Sequence, residues 1–374
     1  MKILYLTDQI HLHGGAEKIL IQKLNYWVEY FNYNVTLITT EQRDKKPFFP
    51  LNKNVNLIDL KINYIEGVSF FNPTNFLKLP NHYKMLKYEV ERLQPDAIFV
   101  ISRSYVRLLA PLVTNGISIF NEYHTSYYST ELSLENVSIF KKIKIKLVDT
   151  FISKIETHYT KIIFLNQEEY DYYNLSNAVI IPNFFDEKVP EILGERKNSI
   201  VTLGRLCYQK GYDILIDVWE IVDKKVEGWE LNIYGNGNDY ESLAQKINDK
   251  KFRNPLNLRA AINNINEKLS ESSFYVMSSR YETFPMVLLE ALSNKLPVVS
   301  FDSPTGARNI LVNNEDSLLA EPNNISDLAT KILLLINNRD LRESMGVKAL
   351  SNVKRFSAMT VMNKWNDLIK SNKK

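Results

Sequence analysis

Apolar residues fall along this chain in short blocks separated by longer amphipathic stretches, and the alternation repeats in two cycles. Residues 2–8 (KILYLTD) form a brief apolar run of the kind a strand buried on both faces requires, and HLHGG after it reads as a turn. Leu20, Leu24, Trp27, Val28 and Phe31 then recur at helical spacing, and residues 34–40 (NVTLITT) give the next strand. Strand, glycine turn, helix and strand open a parallel sheet. PDAIFVIS, ISIFNEYH and KIIFLNQ continue it as strands, with YKMLKYEVERL a helix. The second cycle runs through SIVTLGRL, a strand and turn, and YDILIDVWEIVDKK, a helix. WELNIYGNG follows as a strand ending in glycines, YESLAQKIND as a helix, and SFYVMSS and LPVVSFD as strands.

The pattern predicts an α/β protein of two doubly wound, Rossmann-like domains. The first spans residues 1–182 and the second 183–355, with a final helix in 356–374 packing back on the first. The join, residues 181–198, is rich in Pro, Asn and charge, as a linker should be. Open α/β sheets bind ligands at the carboxyl ends of their strands, so the expectation is two domains facing across a cleft that holds the site.

Composition narrows the function. A length of 374 residues suits two domains, and the net charge of +3 is evenly spread. Residues 1–190 hold 21 Lys and Arg against 20 Asp and Glu, which leaves no basic domain for nucleic acid. One cysteine, Cys207, excludes an internal disulfide and a multi-cysteine metal site. No signal peptide and no bilayer-length apolar run are visible, so a reducing, cytoplasmic setting is expected.

Two stretches carry candidate chemistry. GRLCYQKG sets Arg205 and Lys210 after a strand between Gly204 and Gly211. An arginine fork and a lysine point charge suit a diphosphate, although two such cations taken alone are more often solvated surface residues. SSRYETFPMVLLEAL places Glu282 and Glu290 eight positions apart around Pro285. Proline is comfortable only in a helix's first turn, so the reading is a loop carrying Glu282 and a helix starting near Pro285 that carries Glu290. The N–H groups of Met286, Val287 and Leu288 would be free donors facing a phosphate. Glu290 could accept from a ribose diol, and Glu282 could meet a sugar hydroxyl or a developing positive charge. The plainer alternative is a capping carboxylate and an exposed helical one.

GGAEK, IPNFFD, GRLCYQKG, YGNG and SSRYETFPMVLLEAL stand in the order and spacing found in retaining glycosyltransferases of family four, and from about residue 2 onward the chain resembles them. SPTGARNIL is similar to a segment of members that build bacterial surface polysaccharides. The resemblance implies the GT-B fold and a nucleotide-sugar donor, expected to be a UDP-sugar, with a saccharide or lipid-linked acceptor. It implies that Arg205 and Lys210 hold the donor diphosphate and that Gly15 approaches it from the other domain. It places Glu290 at the ribose and Phe284, Met286 and Val287 along the donor, with Glu282 and His124 at the transferred sugar. Met286 departs mildly from the usual glycine–leucine or proline–leucine, at a contact made by backbone.

No metal or other cofactor is expected. The chain has no D-x-D, and His11 and His13 lack a third ligand. A basic segment with interleaved apolar residues, IFKKIKIKLVDTFISKI, could touch an anionic membrane; its plainer reading is an amphipathic helix packed on the sheet. The aromatic clusters YIEGVSFFNPTNF and EYHTSYY could offer an acceptor platform or could be ordinary packing. Two other functions remain in view: a non-catalytic sugar-nucleotide-binding partner of a transferase complex, and a dinucleotide-dependent oxidoreductase. The latter lacks a G-x-G-x-x-G after the first strand.

Overall fold

A computed structural model of the chain describes residues 1–68, 72–101, 104–135, 138–185, 195–262 and 264–373. The chain divides into two compact units. The first comprises Met1–Thr125, Glu131–Ile181 and Met362–Lys374, and the second Ser126–Thr130 and Pro182–Val361. Part of the expected linker, residues 186–194, lies outside the described residues.

The first unit is built on β1 (Lys2–Thr7), β2 (Asn34–Thr39), β3 (Asn56–Asp59), β4 (Ala97–Ile101), β5 (Ser118–Glu122), β6 (Lys161–Phe164) and β7 (Ala178–Ile180). They pair in parallel in the order β3-β2-β1-β4-β5-β6-β7. The second is built on β8 (Ser199–Leu203), β9 (Glu230–Tyr234), β10 (Leu256–Arg259), β11 (Phe274–Met277), β12 (Val298–Phe301) and β13 (Ser317–Ala320). Their order is β10-β9-β8-β11-β12-β13, again parallel. In both sheets the chain winds outward, returns to the middle and winds the other way. The reversal falls between β1 and β4 and between β8 and β11, where doubly wound sheets open a crevice at their carboxyl ends.

Helices cover both faces of each sheet, so the central strands are fully buried: every residue of β4 and β8 is inside. The helix Gly15–Glu29 returns the chain from β1 to β2, burying Leu20, Leu24, Trp27 and Val28 as their spacing predicts. Phe31 lies beyond its end. The helix Ala358–Ser371 ends the chain, and its buried Trp365 packs edge-on against Phe99 at 5.7 Å. Tyr33 donates to Asn366 at 2.5 Å.

Candidate functional site

In the second unit the loops after β8, β11 and β12 must lie side by side, because their strands are neighbours in the sheet. Those loops carry GRLCYQKG, SSRYETFP and SPTG. The first closes into a single turn, Tyr208–Lys210, before the helix Tyr212–Asp223. Gly211 joins them with φ of 64°, in the left-handed region. A Cβ there would stand 2.2 Å from the Ser278 carbonyl oxygen, so glycine is required twice over.

Arg280 locks the first two loops together. It donates to the Asp213 carboxylate through both terminal nitrogens, at 2.9 and 2.6 Å, and to the Tyr208 carbonyl at 2.6 Å. Its guanidinium also lies 4.0 Å from the Tyr208 ring centre. The Arg280 N–H donates to Gln209 O and the Ser278 hydroxyl to Lys210 O. Nothing in the sequence pattern marks Arg280. An arginine following a buried strand is common on a surface, and its partner lies far off along the chain.

This clamp sets Lys210 against Glu282, with Nζ donating to Oε1 at 2.5 Å. Ser279 donates to the same oxygen at 2.8 Å, and Gln209 Nε2 stands 3.4 Å from the other. Glu282 is buried, and the Thr305 hydroxyl donates to its carbonyl. Lys210 and Glu282, expected at the diphosphate and at the sugar respectively, are joined by the fold as one pair. Arg205 is exposed and has no hydrogen-bond or ionic partner among the described residues.

The helix expected near Pro285 spans Met286–Ser293 with Pro285 at its N-cap, and Glu290 lies in its second turn, half-buried. The N–H groups of Met286 and Val287 find no acceptor among the described residues. Leu288 differs from expectation: its N–H donates to Pro285 O at 3.0 Å. The tight first turn consumes that donor. Phe284 is buried with its ring edge-on to Phe356, 5.6 Å between centres, so its side chain serves packing.

In the first unit a cavity of about 160 Å³ opens at the carboxyl ends of β1, β4 and β5. Asp8, Glu17, Arg107 and His124 are among the residues that line it. His124 is held from beneath: its Nε2 lies 3.1 Å from Glu122 Oε2. Glu122 also accepts from Lys23, and from Tyr5 at 2.7 Å. Burial alone would push the Glu122 carboxyl up. Lys23 and His124 outweigh that and hold it at about 2, so it is an anion and His124 Nε2 is the donor. Lys23 is buried, lowered by desolvation, and lies 4.0 Å above the Trp365 ring. This network was not foreseen, since a lysine inside a helix's apolar face has no sequence signature. Glu41, also unforeseen, is raised to about 7 by burial, with Asp8 and Glu66 adding to the effect.

Gly15, the first residue of its helix, is exposed, and a Cβ there would meet nothing within 4 Å. No packing within the unit demands glycine at that position. His13 packs on Phe48 and Phe49, 4.9 and 5.7 Å between ring centres. Among the described residues no group of three or more His, Cys, Asp or Glu could hold a metal.

Residues 183–351 match the model of the family described as Glycosyl transferases group 1. The amylovoran biosynthesis glycosyltransferase AmsD of Erwinia amylovora is 25% identical, covering 98% of this chain and 99% of its own. The poly(ribitol-phosphate) alpha-N-acetylglucosaminyltransferase of Staphylococcus aureus is 30% identical over 53% of this chain and 41% of its own. Among solved structures, a point mutant of S. aureus TarM in complex with fondaparinux, alpha-GlcNAc-glycerol and UDP superposes with a TM-score of 0.76. It is 18% identical over 98% of this chain and 99% of that one, and shows that the fold is GT-B. Together these similarities support sugar transfer in the synthesis of a cell-surface glycan.

Proposed function

We propose, from the premise that residues 183–351 match a glycosyl transferases group 1 domain, that the protein is a retaining, metal-independent hexosyltransferase. Its donor is a UDP-sugar, and its acceptor a saccharide or lipid-linked saccharide. It works in the cytoplasm. The observation that carries this reading is the set of unspent donors in the second unit. The Arg205 guanidinium and the Met286 and Val287 N–H groups are fixed at adjoining loops after β8 and β11 and have no partners among the described residues. A leaving diphosphate needs such a set.

In the chemical step the bond from the sugar's anomeric carbon to the diphosphate oxygen breaks, and charge grows on both fragments. Arg205 and the helix start stabilise the negative one. Lys210 either joins them or remains on Glu282, whose carboxylate faces the growing positive charge of the sugar. Preorganised groups of this kind stabilise a transition state without reorganising. Glu290 takes the ribose hydroxyls, and Phe284 contributes backbone only. In the first unit, Gly15→Leu and His124→Ala test whether that unit takes part in turnover.

The experiment is a screen of UDP-, GDP- and ADP-sugars by calorimetry. NMR of the anomeric proton in the product and an assay in EDTA follow. UDP-sugar binding, a retained anomer and undiminished activity in EDTA are expected. Inversion, or activity lost in EDTA and restored by magnesium, overturns retention or metal independence respectively. Failure to bind any nucleotide sugar overturns the whole reading.

A further inference from the structure

The basic segment folds as the helix Ile139–Glu156 of the first unit. Its apolar residues fall into two sets that differ in exposure. Ile145, Val148, Ile152 and Ile155 are half-buried, and Ile155 packs against the core under the sheet. Ile139, Ile143, Leu147 and Phe151 follow one another at every fourth position and form the exposed set. They are exposed by 65%, 51%, 67% and 54%. A helix merely packed on a sheet would bury one stripe and carry polar residues outside. This one carries a second stripe in water.

Lysines border that stripe. Lys142 and Lys146 precede Ile143 and Leu147 by one position each, and Lys154 lies a turn beyond Phe151; all three are exposed. The Lys141 and Lys144 side chains lie outside the described ones. Among the described side chains the outer face shows no acidic one; that of Asp149, like those of Lys141 and Lys144, lies outside them. Large aliphatic and aromatic side chains flanked by ammonium groups match the two layers of a lipid surface. The apolar row enters the acyl boundary, and the lysine stems lie along it with their charges at anionic headgroups. No helix among the described residues is long and apolar enough to cross a membrane, so contact would be along the helix side.

We propose that the outer face of the Ile139–Glu156 helix docks on an anionic lipid bilayer. The inference stands on this helix alone and is independent of the donor reading. Charge decides the occupant, since a second copy of the same basic face would repel itself.

The test is co-sedimentation of the full chain with phosphatidylcholine vesicles, with and without phosphatidylglycerol, at low and high salt. Two triple variants accompany it: Ile143→Ser/Leu147→Ser/Phe151→Ser and Lys142→Gln/Lys146→Gln/Lys154→Gln. All six positions are in solvent, so both variants should fold, which circular dichroism and thermal unfolding check. Binding is expected only with phosphatidylglycerol and should weaken with salt. At about fivefold per lysine, the lysine variant should lose roughly a hundredfold in affinity. The serine variant should lose binding at every salt concentration, and the single Leu147→Trp variant should show a blue-shifted emission with vesicles. No sedimentation with phosphatidylglycerol vesicles at low salt overturns the proposal, as does wild-type binding by both triple variants. Self-association abolished in the serine variant, without vesicle binding, would assign the face to a second copy instead. UDP affinity kept while vesicle binding fails would sink this inference and leave the donor reading standing.

Discussion

Each unit keeps one buried glutamate beside a lysine at the carboxyl end of its sheet, and the two pairs are built differently. Lys23 and Glu122 in the first unit have side chains 2% and 0% exposed, roofed by Trp365 and tied to Tyr5 and His124. Lys210 and Glu282 in the second are 19% and 7% exposed, on loops and not within a core. The first pair is shut away from solvent. In the second, the lysine reaches solvent, so an incoming anion can draw it from its carboxylate. A buried pair positions other groups, whereas a half-open one can respond to a ligand.

The largest expected effect breaks the buried pair. Glu122→Ala leaves Lys23 charged and uncompensated, which should cost about 3–5 kcal/mol in chemical denaturation. The double variant Lys23→Met/Glu122→Gln should recover most of that. A Glu122→Ala protein as stable as wild type would show that the pair is not a unit. The pair also has a pH signature. The Glu122 carboxyl is depressed from 4.5 to about 2, so its stabilisation is present above pH 4.5 and lost as pH falls towards 2. The double variant should be less acid-sensitive than the wild type.

Next in size, if Glu282 acts at the sugar as proposed, Glu282→Gln should lower kcat by roughly 10²–10³-fold with UDP affinity nearly unchanged, because such a contact strengthens as the glycosidic bond breaks. Glu290→Gln should do the opposite, raising the donor KM with kcat largely kept. Saturation kinetics with direct UDP binding separates them, and reversed behaviour would mean the roles are exchanged.

Arg205→Ala and Lys210→Ala should each weaken donor use by about 1.5–3 kcal/mol in kcat/KM. Lys210→Arg should restore only part, since a fork does not replace a point charge beside Glu282. Wild-type kinetics in both alanine variants would remove the diphosphate assignment. The smallest effect sharpens the contrast in stability. Glu282→Gln should cost under about 1 kcal/mol, as Lys210 can turn to water.

The sequence determined the central strands. β1, β2, β4, β5 and β6 in the first unit, and β8, β9, β11 and β12 in the second, announce themselves as apolar runs because both their faces are covered. The strands that went unread, β3, β7, β10 and β13, are the four sheet edges. Asn56–Asp59 and Leu256–Arg259 are only partly buried, so no continuous apolar run marks them. The spacing around Pro285 also fixed a helix start, since proline permits little else there. Only the tertiary structure decided which charges meet. Lys23 finds Glu122 and Arg280 finds Asp213 across 99 and 67 positions of chain. Such pairs leave no periodicity, because they arise from strand order and not from local spacing. The same holds for the second stripe of the Ile139–Glu156 helix: its residues are apolar in the sequence, but only the packed unit decides which of them are left in water.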